Sequence, residues 1–172
     1  MAGKLTFDFR STDTGFDALK KELTALGAAK SFAKAGVLGK SAEREPGAGQ
    51  SAPFSNVDVA MANEFGTEAV PERSFIRAAF DNNQLKYIDQ LRRLARAIYD
   101  RKVTVAQALG LLGAQCASDI RNLVRVGSGV PPPNSSATIA RKGSSHTLVD
   151  TGQLINAVTH EVVKGSSGSD SQ

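Results

Sequence analysis

With 172 residues, 41% of them hydrophobic and 22% charged, the chain has the bulk for one domain with a sizeable core and little room for two. Eight Phe, two Tyr and no Trp leave that core to Leu, Ile, Val and Ala, and a single cysteine excludes an intramolecular disulfide; with two His it cannot close a tetrahedral zinc shell without carboxylates. The net charge is +4, and no apolar run approaches the ~20 residues of a membrane-spanning helix.

Leu5, Phe7 and Phe9 alternate, which predicts a short half-buried strand over residues 4–10. No apolar core of a secretory signal is present there, so the expected setting is the cytoplasm or something assembled in it. Thr14 and Asp17 have the spacing of a helix start, and Phe16, Leu19, Leu23 and Leu26 carry a helix from about 15 to 32. Val37 and Leu38, between Gly36 and Gly39, suit a second strand. Residues 40–54 are rich in Gly, Pro, Ser and charge and predict a long loop. Val57, Val59 and Met61 alternate again, predicting a return strand that closes a hairpin around that loop.

Beyond Pro71, Leu85, Ile88, Leu91, Leu94 and Ile98 follow the spacing of an amphipathic helix over about 82–100. A second helix starts at Thr104, with Gln107 as its capping-box partner and Val105, Ala108, Leu112, Cys116, Ile120 and Val124 as its apolar face. The short link Arg101-Lys102-Val103 makes the two an antiparallel pair. Three consecutive prolines, Pro131 to Pro133, forbid helix and make 127–147 a long surface arm. Asp150 with Gln153 suits the cap of a single helical turn, and alternation over 157–164 predicts a closing strand. The expected architecture is therefore one α+β domain over 1–164, with about four antiparallel strands packed on the helix pair and an N-terminal helix. Residues 165–172 form a polar, flexible tail.

The basic excess is concentrated. Residues 84–126 carry eight basic and three acidic groups, whereas the stretches on either side nearly balance. Arg92, Arg93 and Arg96 lie on one side of the first long helix together with Asp89 and Asp100, which predicts either a solvated face with pairs such as Asp89–Arg93 and Arg96–Asp100 or a stripe facing an acidic partner or DNA. No aromatic interleaving supports base stacking. His146 and His160 have no ligand-spaced companions, and Cys116 falls on an apolar helix face where a thiol acts as a small hydrophobe. Gly-x-Gly at 47–49 and Gly-Ser-Gly at 127–129 lack the setting of a phosphate loop. No catalytic, cofactor-binding or metal-ligating residue is predicted, and no cofactor.

Two stretches carry a resemblance. Glu64-Phe65-Gly66-Thr67, followed by Val70-Pro71-Glu72-Arg73-Ser74-Phe75-Ile76-Arg77, resembles a signature of tail-component and virion-morphogenesis proteins of tailed bacteriophages, departing from it by Val70 for Ile and Ser74 for Pro. Pro133-Asn134-Ser135-Ser136-Ala137-Thr138-Ile139-Ala140-Arg141-Lys142-Gly143, followed by Leu148-Val149-Asp150-Thr151-Gly152-Gln153-Leu154, resembles a second signature of the same proteins. Together they span most of residues 55–163, in the right order around a helical pair.

The resemblance implies an α+β structural protein of the virion rather than an enzyme. Such a protein forms a ring around the DNA channel in the neck or tail-completion region, hexameric by the symmetry of the tail tube, with a dodecamer as the alternative. Its partners would be copies of itself, a head-completion or adaptor protein on one side and a tail terminator or tail tube protein on the other, with non-specific proximity to DNA and no membrane. A tail terminator and a free basic nucleic-acid-binding protein are the competing functions; a small hydrolase has no supporting constellation. For the motif residues the expectation is structural: Gly66 turns the chain after a strand, Phe65 plugs into the core, Pro71 and Arg73 fix an extended approach to Phe75 and Ile76, and Thr151-Gly152 turns between Leu148 and Leu154. Glu64 and Arg73 are open to an intrachain pair, to solvation or to an intersubunit bridge.

Overall fold

The computed structural model of the chain describes residues 31–39, 54–126, 130–148 and 152–164, with isolated positions at 15, 17, 18, 20, 21, 24 and 43. The predicted strand over 4–10, nearly all of the loop over 40–54, and Asp150 and Thr151 lie outside the described residues. The six isolated positions between 15 and 24 are helical, in line with the helix expected to start there. Its expected end at 32 is too late, because Phe32 opens a strand.

The described chain is α+β: β1 (Phe32–Val37), α1 (Asn56–Phe65), α2 (Phe75–Asn82), α3 (Gln84–Tyr99), α4 (Val105–Val126), α5 (Ser136–Lys142), α6 (Gln153–Ala157) and β2 (Val158–Val163). Among the described residues the sheet has two strands, not four, with β1 antiparallel to β2 and Phe32 opposite Val163, Val37 opposite Val158. The expected return strand at 57–61 is a helix. Its alternating Val57, Val59 and Met61 also suit α1, and the local chemistry decides: the Ser55 hydroxyl accepts from the Asp58 amide at 3.1 Å while Asp58 accepts from the Ser55 amide at 2.9 Å. That reciprocal cap satisfies two amides that a strand would have to pair elsewhere.

Helix α4 is the spine, and both strands, α2 and α3 pack on it. A two-stranded sheet is marginal by itself, and here a helix face of small residues stabilises it by close approach. Ala117 is fully buried, and a Cβ added at Gly113 would stand 3.1 Å from the His160 ring and 3.4 Å from the Ala33 Cβ. The core gathers Phe75, Ala79, Ile120, Val124, Val130, Leu154, Ile155 and Val158, with Phe75 its one phenylalanine among the described residues. The Thr104 cap forms as expected: the Thr104 amide donates to Gln107 Oε1 at 2.8 Å, and the Gln107 amide to the Thr104 hydroxyl at 3.2 Å.

The helix expected over about 82–100 is α3, and α2 precedes it and joins it at Asn83. Helices α3 and α4 are antiparallel, since residue 86 meets 119 and residue 90 meets 111. The face turned to α4, however, is not the one the leucine spacing suggests. Tyr87 is buried, Leu94 and Ile98 are half-buried, and Leu85, Ile88 and Leu91 are exposed. A polar latch sets this register: Lys86 Nζ bonds Asp119 Oδ1 at 2.6 Å, and Gln115 Nε2 bonds the same oxygen at 3.1 Å. The Tyr87 hydroxyl and Asp119 Oδ2 are buried beside it with no hydrogen-bond partner.

Burial, then the nearby Cys116 thiol and Asp119 carboxylate, push the Tyr87 hydroxyl far above its ordinary 10.0, and burial pushes the Cys116 thiol above 9.0. Both groups hold their protons longer folded than unfolded, so their contribution is complete below the unfolded values and is lost as pH rises past them. Urea midpoints should therefore fall with pH from about 9 upward and more steeply beyond about 10. Tyr87→Phe should flatten the steeper part and cost little at neutral pH, because the hydroxyl it removes has no partner.

Candidate functional site

The first motif segment closes on itself through backbone bonds. Helix α1 ends at Phe65, and Gly66 follows with φ 74° and ψ 166°, a conformation that side-chain-bearing residues rarely adopt. The Thr67 amide then donates to the Val70 carbonyl at 2.7 Å, and the Arg73 amide to the Asn63 carbonyl at 2.6 Å. This loop brings the N-terminus of α2 against the last turn of α1. The carboxylate of Glu64, only 7% exposed, accepts from the Ser74 hydroxyl at 2.8 Å and from the amides of Ile76 and Arg77 at 2.8 and 3.0 Å. Ser74, at the cap position, makes no side-chain cap bond of its own. Glu64 thus caps α2 from another helix, an anion at the positive end of the peptide dipoles.

Arg73 is buried to the same degree and holds the second motif region. Its Nε donates to the Pro132 carbonyl at 2.8 Å and its Nη2 to the Pro133 carbonyl at 3.3 Å. Glu64 and Arg73 are therefore not bonded to each other; each spends its charge on backbone. The segment that follows is not the extended arm expected over 127–147, because it contains α5 and folds back. Ser135 accepts from the Thr138 amide at 3.2 Å, Gly143 ends the helix at φ 67°, and Asn134 Nδ2 donates to the His146 carbonyl at 2.9 Å. Val130 and Thr147 are buried at its two ends.

The two motif segments wall one cleft of about 540 Å³. Val70, Pro71 and Arg73 stand on one side, and Thr138, Arg141 and Lys142 on the other. Leu148 and Leu154 supply apolar floor; Leu154 is buried and Leu148 half-buried at φ 63°. Helix α6 starts from Gly152 at φ 77°, and the cap expected of Asp150 lies outside the described residues. Among the described residues the lining holds three cations and no carboxylate. Its chemistry is that of a cationic, half-apolar receptor for chain or anion, and no nucleophile–base pair faces it.

Phe75 is fully buried, whereas Phe65, the side chain expected to plug into the core, is 65% exposed. Thr67 and Pro71 shape the loop at the surface. The basic stripe stands apart on α3, where Arg92 pairs with Asp89 at 3.1 Å and Arg96 with Asp100 at 3.1 Å. The expected Asp89–Arg93 pair does not form, and Arg93 has no carboxylate within bonding distance among the described residues. Sequence reasoning missed Asn63, Ser74 and Asn134. An Asn directly after the prolines and ahead of Ser135 was the available signal, since Asx side chains close turns.

Glu64→Ala should cost about 2–4 kcal/mol in urea unfolding, because it takes the acceptor from two amides and a hydroxyl in a part-buried joint; Glu64→Gln should cost clearly less. Gly66→Ala, strained at this φ and 3.0 Å from the Glu72 amide, should lower the melting temperature by about 4–8 °C.

No protein-family model, curated protein or solved structure matches the chain.

Proposed function

We propose that the chain is a structural protein of the virion of a tailed bacteriophage, assembling as a ring in the neck or tail-completion region around the DNA channel and joining head to tail. One observation carries this reading. Two segments that resemble signatures of the same phage proteins, some 60 residues apart, meet where Arg73 Nη2 bonds the Pro133 carbonyl that opens the second, beside its Nε bond to Pro132, and they wall one cleft. Unrelated chance resemblances have no reason to form one joint.

The joint is built to hold shape. Its charged groups bond backbone, which fixes loop geometry, and its cleft offers donors and apolar floor with no group set to break bonds. A subunit of a ring between two protein layers needs such rigid surfaces toward its neighbours. A tail terminator uses the same architecture at a different layer and is the nearest variant of the proposal. A free nucleic-acid-binding role draws less support, because Arg92 and Arg96 are already paired with carboxylates on their own helix and its end.

Purified particles should contain the chain at a fixed low copy number, six or twelve, and a nonsense mutation should yield filled heads and finished tails that do not join. Absence of the chain from particles would overturn the proposal. Arg92→Ala, Arg93→Ala and Arg96→Ala together should leave DNA retention in gel shifts little changed at about 150 mM salt; a steep salt-dependent loss would favour the nucleic-acid role.

A further inference from the structure

Large exposed hydrophobics are concentrated on two helix faces. Of eleven such residues among those described, Phe54, Met61 and Phe65 belong to α1 and its approach, and Leu85, Ile88, Leu91 and Tyr99 to α3, with Phe80 just before it. On α1, positions 58, 61 and 65 recur at spacings of three and four and so share one side, with Asp58 as its only charge, and the exposed Phe54 lies in the approach to the helix. On α3, positions 85, 88, 92, 95 and 99 share the side opposite Tyr87 and Leu94. Leu85 is 79% exposed and Phe65 65%, values far from those of covered residues.

The two faces differ in charge. On the outer side of α1 the charge is Asp58, held ionised by hydrogen bonds from Ser55, since Glu64 is buried against α2. On α3, Lys86 bonds Asp119 and Arg92 and Arg96 pair with Asp89 and Asp100, which leaves Arg93 as the cation without a carboxylate partner among the described residues. Packing α3 on its own copy would set arginines against arginines, and packing α1 on its own copy would set Asp58 against Asp58. Packing α3 on α1 of another copy covers apolar area on both and brings opposite charges together. Two different complementary patches on one subunit are what a head-to-tail ring requires.

We infer that copies of this chain join head to tail by seating the Leu85–Ile88–Tyr99 face of α3, with its flanking arginines, on the Phe54–Met61–Phe65 face of α1 of the next copy. The inference rests on the ring reading above and names the surfaces that close it. Leu91 and Leu111, the latter beside Gln90 on α4, extend the apolar contact at its edge.

Disulfide trapping in the full chain tests it. Met61→Cys protein mixed with Ile88→Cys protein should form covalent dimers on mild oxidation, and the double variant should give a ladder that stops at one closed size. Either single variant alone should give at least about tenfold less product, the native Cys116 being buried. Asp58→Lys should lower the trapped yield about tenfold, and adding Arg93→Glu should restore it. Dimers from Ile88→Cys alone would show α3 packing on α3 and overturn the inference. So would an intramolecular disulfide in monomers of the double variant. Absence of trapping at any concentration, with unchanged melting curves, would mean that another segment or another protein covers the face and would also overturn it. Counting the chain in particles separates the two readings: trapping without incorporation sinks the virion role, and incorporation without trapping sinks this interface.

Discussion

A buried guanidinium bonded to two proline carbonyls ties this molecule together. Prolines have no amide hydrogen, so a run of three of them cannot secure itself in a sheet or helix, yet their carbonyls still need donors. Arg73 supplies two, from a fork whose geometry is fixed. Nine residues earlier, Glu64 does the converse and gathers two amides and a hydroxyl at the start of α2. The short loop between them therefore carries two buried charges of opposite sign that ignore each other and organise backbone on either side. Burying either charge without those partners would cost several kcal/mol, so the loop, α2 and the region 130–148 keep one mutual arrangement or lose all of it.

Much of that arrangement is invisible to periodicity. The helix pair, the Thr104 cap and the final strand follow from local spacing, and each is found where that spacing puts it. The pairing of β1 with β2 joins Phe32 to Val163, and no pattern within either strand names the other. At 57–61 two periodicities compete. Val57, Val59 and Met61 alternate, but Ser55 and Asp58 cap a helix, and two satisfied amides outweigh a weak strand preference. On α3 the difficulty is different, since the helix has two apolar faces and leucine spacing describes both. Which one turns inward is fixed by Tyr87 and by the Lys86–Asp119 bond, contacts made to another helix.

The motif residues show the same division. Phe75, Leu154 and Gly66 act as their residue types suggest: a core side chain, a core side chain and a left-handed turn. Phe65 does not, because the loop that seats Glu64 on α2 turns the neighbouring side chain outward to solvent. A charged residue satisfied by backbone and an aromatic left in water, adjacent in sequence, cannot be read from composition. They are one consequence of where the α1 terminus must stand.

The fold also explains why its surface is so apolar. Among the described residues α4 is taken up by the two strands, α2 and α3, and the outer side of α3 stands exposed. A monomer that leaves Leu85, Ile88 and Tyr99 in water carries a standing drive to associate, worth about 25 cal/mol for each Å² later covered. In the proposed head-to-tail ring, Asp58 beside one apolar face and Arg93 beside the other would give that contact a fixed polarity. A contact of that kind needs two faces at a constant angle, and the bonds of Glu64 and Arg73 to backbone fix the loop that joins α1 to α2, from which α3 continues.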